Sequence, residues 1–139
     1  MARKPESALH KRLKDNLPNS LITRLENRVG VGMPDCLVAL IKARFVMIEL
    51  KVVERGNKVR LSPHQISFNL KHGMRGMPVW ILVQHHPKGT TKRSEIRLLL
   101  YHGKQAQELF EQGTDLLPVE SWALDAVDWK HMHHILSTH

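Results

Sequence analysis

Two carboxylates and a lysine, Asp35, Glu49 and Lys51, carry the strongest chemical signal in the chain. Glu49 and Lys51 lie in Phe45-Val46-Met47-Ile48-Glu49-Leu50-Lys51, an apolar run that reads as a strand, so their side chains share one face about 7 Å apart. Such a trio suits metal-assisted hydrolysis of a phosphodiester. The carboxylates would hold Mg²⁺, a hard cation that takes oxygen ligands and keeps several waters. Mg²⁺ would polarise the phosphoryl oxygen and help ionise an attacking water. The lysine would orient that water or offset charge in the transition state. Taken alone, a Glu-x-Lys on an exposed strand with an Asp capping a nearby turn is commonplace.

The three groups meet only if the chain folds back. Residues 36–41 and 45–53 flank the basic turn Lys42-Ala43-Arg44 and read as a β-hairpin. Pairing 41 with 45 sets Asp35 opposite Lys51, and pairing 40 with 44 sets it opposite Glu49. A two-residue turn would send Asp35 to the other face, but that turn favours Asn-Gly or Gly, which Lys42-Ala43 does not supply.

Other elements frame the hairpin. Residues 5–16 read as a helix with Pro5 near its start, Glu6 in its first turn, where an acid complements the helix dipole, and Leu9 and Leu13 at i and i+4. Residues 20–28 read as a strand, with Ile22, Arg24, Glu26 and Arg28 on one face. Gly30 and Gly32 then turn the chain into Asp35 and leave room for a phosphate backbone to come close. Ser62-Pro63-His64-Gln65 is a capping-box start, with Ser at the N-cap, Pro at N1 and Gln at N3. It predicts a helix over 63–74 with Ile66, Leu70 and Met74 as its apolar stripe. Strands are expected at 78–84 and 96–101, a helix at 104–112 with Ala106, Leu109 and Phe110 inward, and a helix at 127–137 with Met132 and Ile135 inward. The clustered His131, His133 and His134 lack the second ligand pair of a zinc site.

The net charge of +8 is unevenly spread over 139 residues. Residues 55–94 hold eight basic side chains and no acidic one, while residues 95–139 hold three basic and seven acidic. That polarity suits a surface that neutralises phosphates, with Lys58, Arg60, Lys71, Arg75, Lys88, Lys92 and Arg93 as the DNA-binding candidates. The lone Cys36 forms no intramolecular disulfide, which fits a reducing cytoplasm and argues against thiol chemistry. No apolar stretch reaches the roughly 18 residues of a membrane span. Residues 1–139 are expected to form a single domain of α/β class, a central mixed β-sheet flanked by helices. Strand pairing should be parallel where the helix at 63–74 crosses over, and the candidate site should lie at one sheet edge.

Gly32-Met33-Pro34-Asp35, Ile48-Glu49-Leu50-Lys51 and Leu61-Ser62-Pro63-His64-Gln65, in this order and spacing, resemble the PD-(D/E)xK nuclease superfamily. The similarity is closest to its stand-alone VRR-NUC type and covers about residues 6–84. It implies a restriction-endonuclease-like sheet and a Mg²⁺-dependent DNA endonuclease, with Mn²⁺ expected to substitute. It further implies a phage or bacterial setting and branched DNA such as Holliday junctions as substrate. By the same resemblance Glu6 joins the metal site with Asp35 and Glu49, Glu26 being the competing acid, and Gln65 sits beside metal and scissile phosphate. The alternatives are a homing, restriction-like or repair nicking enzyme of the same fold, or a DNA-binding module without catalysis. Symmetric cutting of two strands would favour a homodimer.

Overall fold

The computed structural model describes residues 4–25 and 32–139. Helix α1 (Lys4–Asn16) begins with Pro5 and Glu6 in its first turn and buries Leu9 and Leu13 completely. The chain then enters β1 (Ser20–Arg24), where Ile22 packs toward the core and Leu21 is 76 % exposed. The expected extension of this strand to residue 28 falls partly, from Glu26 onward, outside the described residues, as does Gly30.

The hairpin forms from β2 (Cys36–Leu40) and β3 (Arg44–Val53). Leu40 pairs with Arg44 and Cys36 with Ile48, so one step further along the register Asp35 faces Glu49. Of the two converging registers the chain takes this one. The loop is Ile41-Lys42-Ala43, one residue earlier than the basic turn expected, with Lys42 at φ 63° and Ala43 at φ 57°. Left-handed backbone costs a non-glycine residue roughly 1–2 kcal/mol. Arg44 holds the loop in place from behind, donating from Nε to the Leu136 carbonyl at 2.9 Å and from Nη2 to the His139 carbonyl.

Helix α2 (Pro63–Gly73) carries the chain across to β4 (Val79–His85), which lies parallel to β3 with Glu49 beside Ile81 and Lys51 beside Val83. Hairpin partner β5 (Arg97–His102), helix α3 (Ala106–Gln112), strand β6 (Glu120–Ala123) and helix α4 (Trp129–Thr138) complete the described chain. Among the described residues the sheet has six strands in sequence order, β1-β2-β3-β4-β5-β6, antiparallel except at β3–β4. This is the α/β class expected, a mixed sheet between helical layers.

Strand alternation sorts the core into two clusters. Val46, Ile48 and Leu50 of β3 pack with Leu9 and Leu13 of α1 and Met132, Ile135 and Leu136 of α4. Ile81, Val83 and Tyr101 project to the opposite face, where Ala106 and Leu109 of α3 and Ile66 and Leu70 of α2 cover them. Glu49 and Lys51 alternate with Ile48 and Leu50, so they belong to the α2 face.

Two expected inward-facing side chains are corrected. Met74 is 73 % exposed, because the helix stops at Gly73 and Met74 is its C-cap. Phe110 is 39 % exposed: the inward stripe of a seven-residue helix is filled by Ala106 and Leu109, and Phe110 falls beside it. Strand β6 was not expected at all. No helix among the described residues is long and apolar enough to cross a membrane.

Candidate active site

Glu49 is 1 % exposed and Lys51 9 %, side by side on an inner strand. Their charged ends lie 3.6 Å apart, Lys51 Nζ to Glu49 Oε2. Gln65 joins them: its Nε2 donates to Glu49 Oε2 at 3.0 Å, and its Oε1 accepts from Lys51 Nζ at 3.1 Å. That amide is placed by the capping box at the start of α2. Ser62 Oγ accepts from the Gln65 N–H at 3.1 Å, and Gln65 Oε1 accepts from the Ser62 N–H at 3.0 Å. One oxygen therefore serves both the helix cap and the lysine, so the two sequence readings of Gln65 as cap and as site residue are structurally compatible.

Asp35 enters from the neighbouring strand. Its carboxylate Oδ2 accepts from the Leu50 N–H at 2.9 Å, and its carbonyl accepts from the Leu25 N–H at 2.7 Å. Upstream, Gly32 adopts φ +85° and packs on the first turn of α2, where a β-carbon would stand 2.4 Å from the His64 carbonyl oxygen. The glycine is thus needed for close approach of protein backbone, where the sequence suggested approach of a phosphate backbone. Asp35, Glu49, Lys51 and Gln65 come together at the end of β2 and β3 nearest the start of α2. The expected sheet-edge location is corrected: β3 is third of six strands, and the cluster sits at a strand end in the middle of the sheet.

Burial of this group is not explained by stability. A desolvated ion pair costs several kcal/mol per ion before its Coulombic return, and apolar residues of similar volume often serve as well or better. Nearby Cys36 feels the same surroundings. Burial first, and next the negative charge of Asp35, push its thiol up to about 12, so it is no nucleophile at neutral pH.

The donor chemistry fits a hard divalent cation. Asp35 and Glu49 supply carboxylate oxygens, and Mg²⁺ is commonly bound through one or two carboxylates with water and phosphate completing its shell. Among the described residues no group of three His, Cys, Asp or Glu converges in a metal-holding arrangement. Glu6, in the opposite helical layer, lines a cleft with Lys51, Glu54, Arg55, Lys58 and Arg60. A contiguous cleft runs from Lys51, Lys58 and Arg60 past Ser62 and Gln65 to Phe110.

The remaining basic candidates spread further. Lys71 lies along α2 about 9 Å beyond Gln65 at a 1.5 Å rise per residue, and Arg75, past the end of the helix, donates to the Lys71 carbonyl at 2.9 Å. Lys88, Lys92 and Arg93 are exposed on the loop between β4 and β5, which starts at the same sheet end as the site. Arg93 lies near enough to Arg12 of α1 to depress that guanidinium, after burial. Glu26 lies outside the described residues.

Two site neighbours escaped the sequence reading. His10, one turn after Glu6 on α1, has its pKa lowered by burial first and then by Arg24 and Lys14, against the opposing pull of Asp35. The i, i+4 spacing from Glu6 was the available signal. Phe110 gave none, since its spacing from Ala106 also reads as core.

No family model and no curated protein matches this sequence. A solved structure described as a "VRR_NUC domain" is similar over 77 % of this chain and 95 % of its own, at 23 % identity and a TM-score of 0.47.

Proposed function

We propose that this chain is a metal-dependent endonuclease that hydrolyses phosphodiester bonds in DNA, selective for branched substrates such as four-way junctions. The supporting observation is the buried Glu49–Lys51 pair cross-braced by Gln65 at the mouth of a cleft lined by Lys58 and Arg60. Asp35 and Glu49 are the metal-holding carboxylates of this reading, with Glu6 as the additional acid across the cleft. Bound Mg²⁺, or Mn²⁺ in its place, would supply Lewis-acid polarisation and a more acidic water.

The chain's own groups have separate tasks. Lys51 presents its ammonium to the reacting phosphate, held in position by the Gln65 oxygen. Gln65 in turn fixes the Glu49 carboxylate, the supporting role that outer-shell partners play for metal ligands. Lys58 and Arg60 neutralise phosphates on either side, and Lys88, Lys92 and Arg93 extend that surface to the β4–β5 loop. A homodimer belongs to the same reading. Leu21, Ala39 and Phe45 align in one row across β1, β2 and β3, with Leu21 76 % and Phe45 59 % exposed on a face that α2 leaves open.

Cleavage of end-labelled linear duplex and four-way junction, with Mg²⁺, with Mn²⁺ and with EDTA, tests the proposal. Cutting with either metal, none in EDTA and faster cutting of the junction is expected. Asp35→Asn and Glu49→Gln should each lower the rate by about a hundredfold or more while DNA affinity holds. Binding without cleavage under every metal condition would leave a DNA-binding module instead.

A further inference from the structure

Phe110 projects a half-exposed ring from α3 into the same cleft as Gln65, Lys51 and Arg60. Phe110 also lines a second recess of about 480 Å³, together with apolar Leu61, Pro63, Ile66 and Leu70 and polar Lys71 and Gln107. Its size falls within the roughly 300–1,000 Å³ of small-ligand pockets. The recess is apolar where the cleft is basic, and Leu61 and Phe110 belong to both. An aromatic face next to a phosphate-binding groove is the pairing that single-stranded nucleic acid sites use, because every base has a π-face and every link a negative charge.

We infer that Phe110, with Pro63 and Ile66, forms a base-capture subsite: an unpaired nucleobase stacks on the ring while its flanking phosphates lie on Lys58 and Arg60. The basic cleft sets the occupant. An apolar segment of another protein would need no lysine and arginine alongside, whereas a DNA strand brings its phosphates wherever it brings a base. The substrate class narrows accordingly to DNA with unpaired nucleotides beside the scissile phosphate, such as overhangs, flaps and the open centre of a junction. This placement of the strand rests on the endonuclease reading above.

The test measures affinity in EDTA, where no cutting occurs, for a single strand, a duplex with an overhang and a blunt duplex. Phe110→Ala should weaken binding to the first two by about 5- to 150-fold, the range of one base–aromatic stack, and leave the blunt duplex unchanged. Phe110→Trp should retain the affinity and quench a 2-aminopurine placed in the overhang. Wild-type affinity of Phe110→Ala for the single strand, or an equal loss on the blunt duplex, overturns the subsite. The first result would return the recess to an apolar protein partner. Failure of the two readings is separable. A wild-type protein that shows the Phe110 effect but cuts no substrate with Mg²⁺ keeps the subsite and loses the nuclease. One that cuts, with Phe110→Ala indistinguishable in binding, does the reverse.

Discussion

Gly32 lies so close to His64 that a β-carbon on it would stand 2.4 Å from the His64 carbonyl oxygen. This contact binds the segment leading into Asp35 to the helix that presents Gln65. Gly32→Ala adds both the overlap and an unfavourable φ of +85°, so it should lower Tm by several degrees and separate Asp35 from the rest of the cluster. Thermal melting and metal-dependent cleavage, measured together, should both fall. A variant melting and cutting like wild type would show that the segment relaxes freely.

Lys51 and Gln65 make separable demands. Lys51→Ala should lower the cleavage rate by roughly 10²–10³-fold while affinity changes little, since the ammonium acts at the reacting phosphate. Gln65→Ala removes the brace, and a loss of about 10- to 100-fold is expected. Gln65→Glu should cut no faster than Gln65→Ala, because a second carboxylate would face Glu49 Oε2 where the amide donates at 3.0 Å. Single-turnover rates beside binding titrations check all three.

Salt dependence addresses the basic surface apart from catalysis. Log affinity for duplex DNA should fall linearly with log salt, by about 0.9 for each phosphate contacted. Neutralising Lys58 and Arg60 together, or Lys92 and Arg93 together, should each flatten the slope by up to roughly two, similarly for every base sequence. The wild-type slope should be steeper for a four-way junction. An unchanged slope in the Lys92/Arg93 variant would remove the β4–β5 loop from the interface.

Cys36 gives a prediction in pH. Its thiol is raised from 9.0 to about 12 in the folded protein, so the unfolded chain loses this proton first as pH climbs. The stability it contributes is complete below about 9 and is lost as pH rises toward 12. Native protein should resist thiol reagents at pH 8 and react fully once denatured. Cys36→Ala should reduce the alkaline loss of Tm, scanned from pH 8 to pH 11.

The parts legible in the sequence were those specified by neighbouring residues. Ser62, Pro63 and Gln65 set the start of α2 through their own hydrogen bonds, and the alternation of Ile48, Glu49, Leu50 and Lys51 set which side chains share a face. Both hairpin registers satisfy the local pattern, and Arg44 at the turn bonds a partner 92 residues away, the Leu136 carbonyl, which no local pattern shows. Strand β6 was hidden by its four-residue length, too short for a period to show. Phe110 was misplaced because spacing within one turn cannot tell the middle of a buried stripe from its flank.

The sequential order of the six strands bears on how the chain reaches this state. No later strand inserts between earlier ones, so each strand pairs with the one before it in sequence. The parallel step from β3 to β4 joins the residues farthest apart in sequence, as in Met47 beside Val79. It must close a connection running from Val53 to Val79 before its pairing returns any free energy. That closure spans the longest connection between paired strands of the sheet, and α2, which lies within it, brings Gln65 to Glu49 and Lys51. The longest loop closure in the sheet is then also the one that assembles the site.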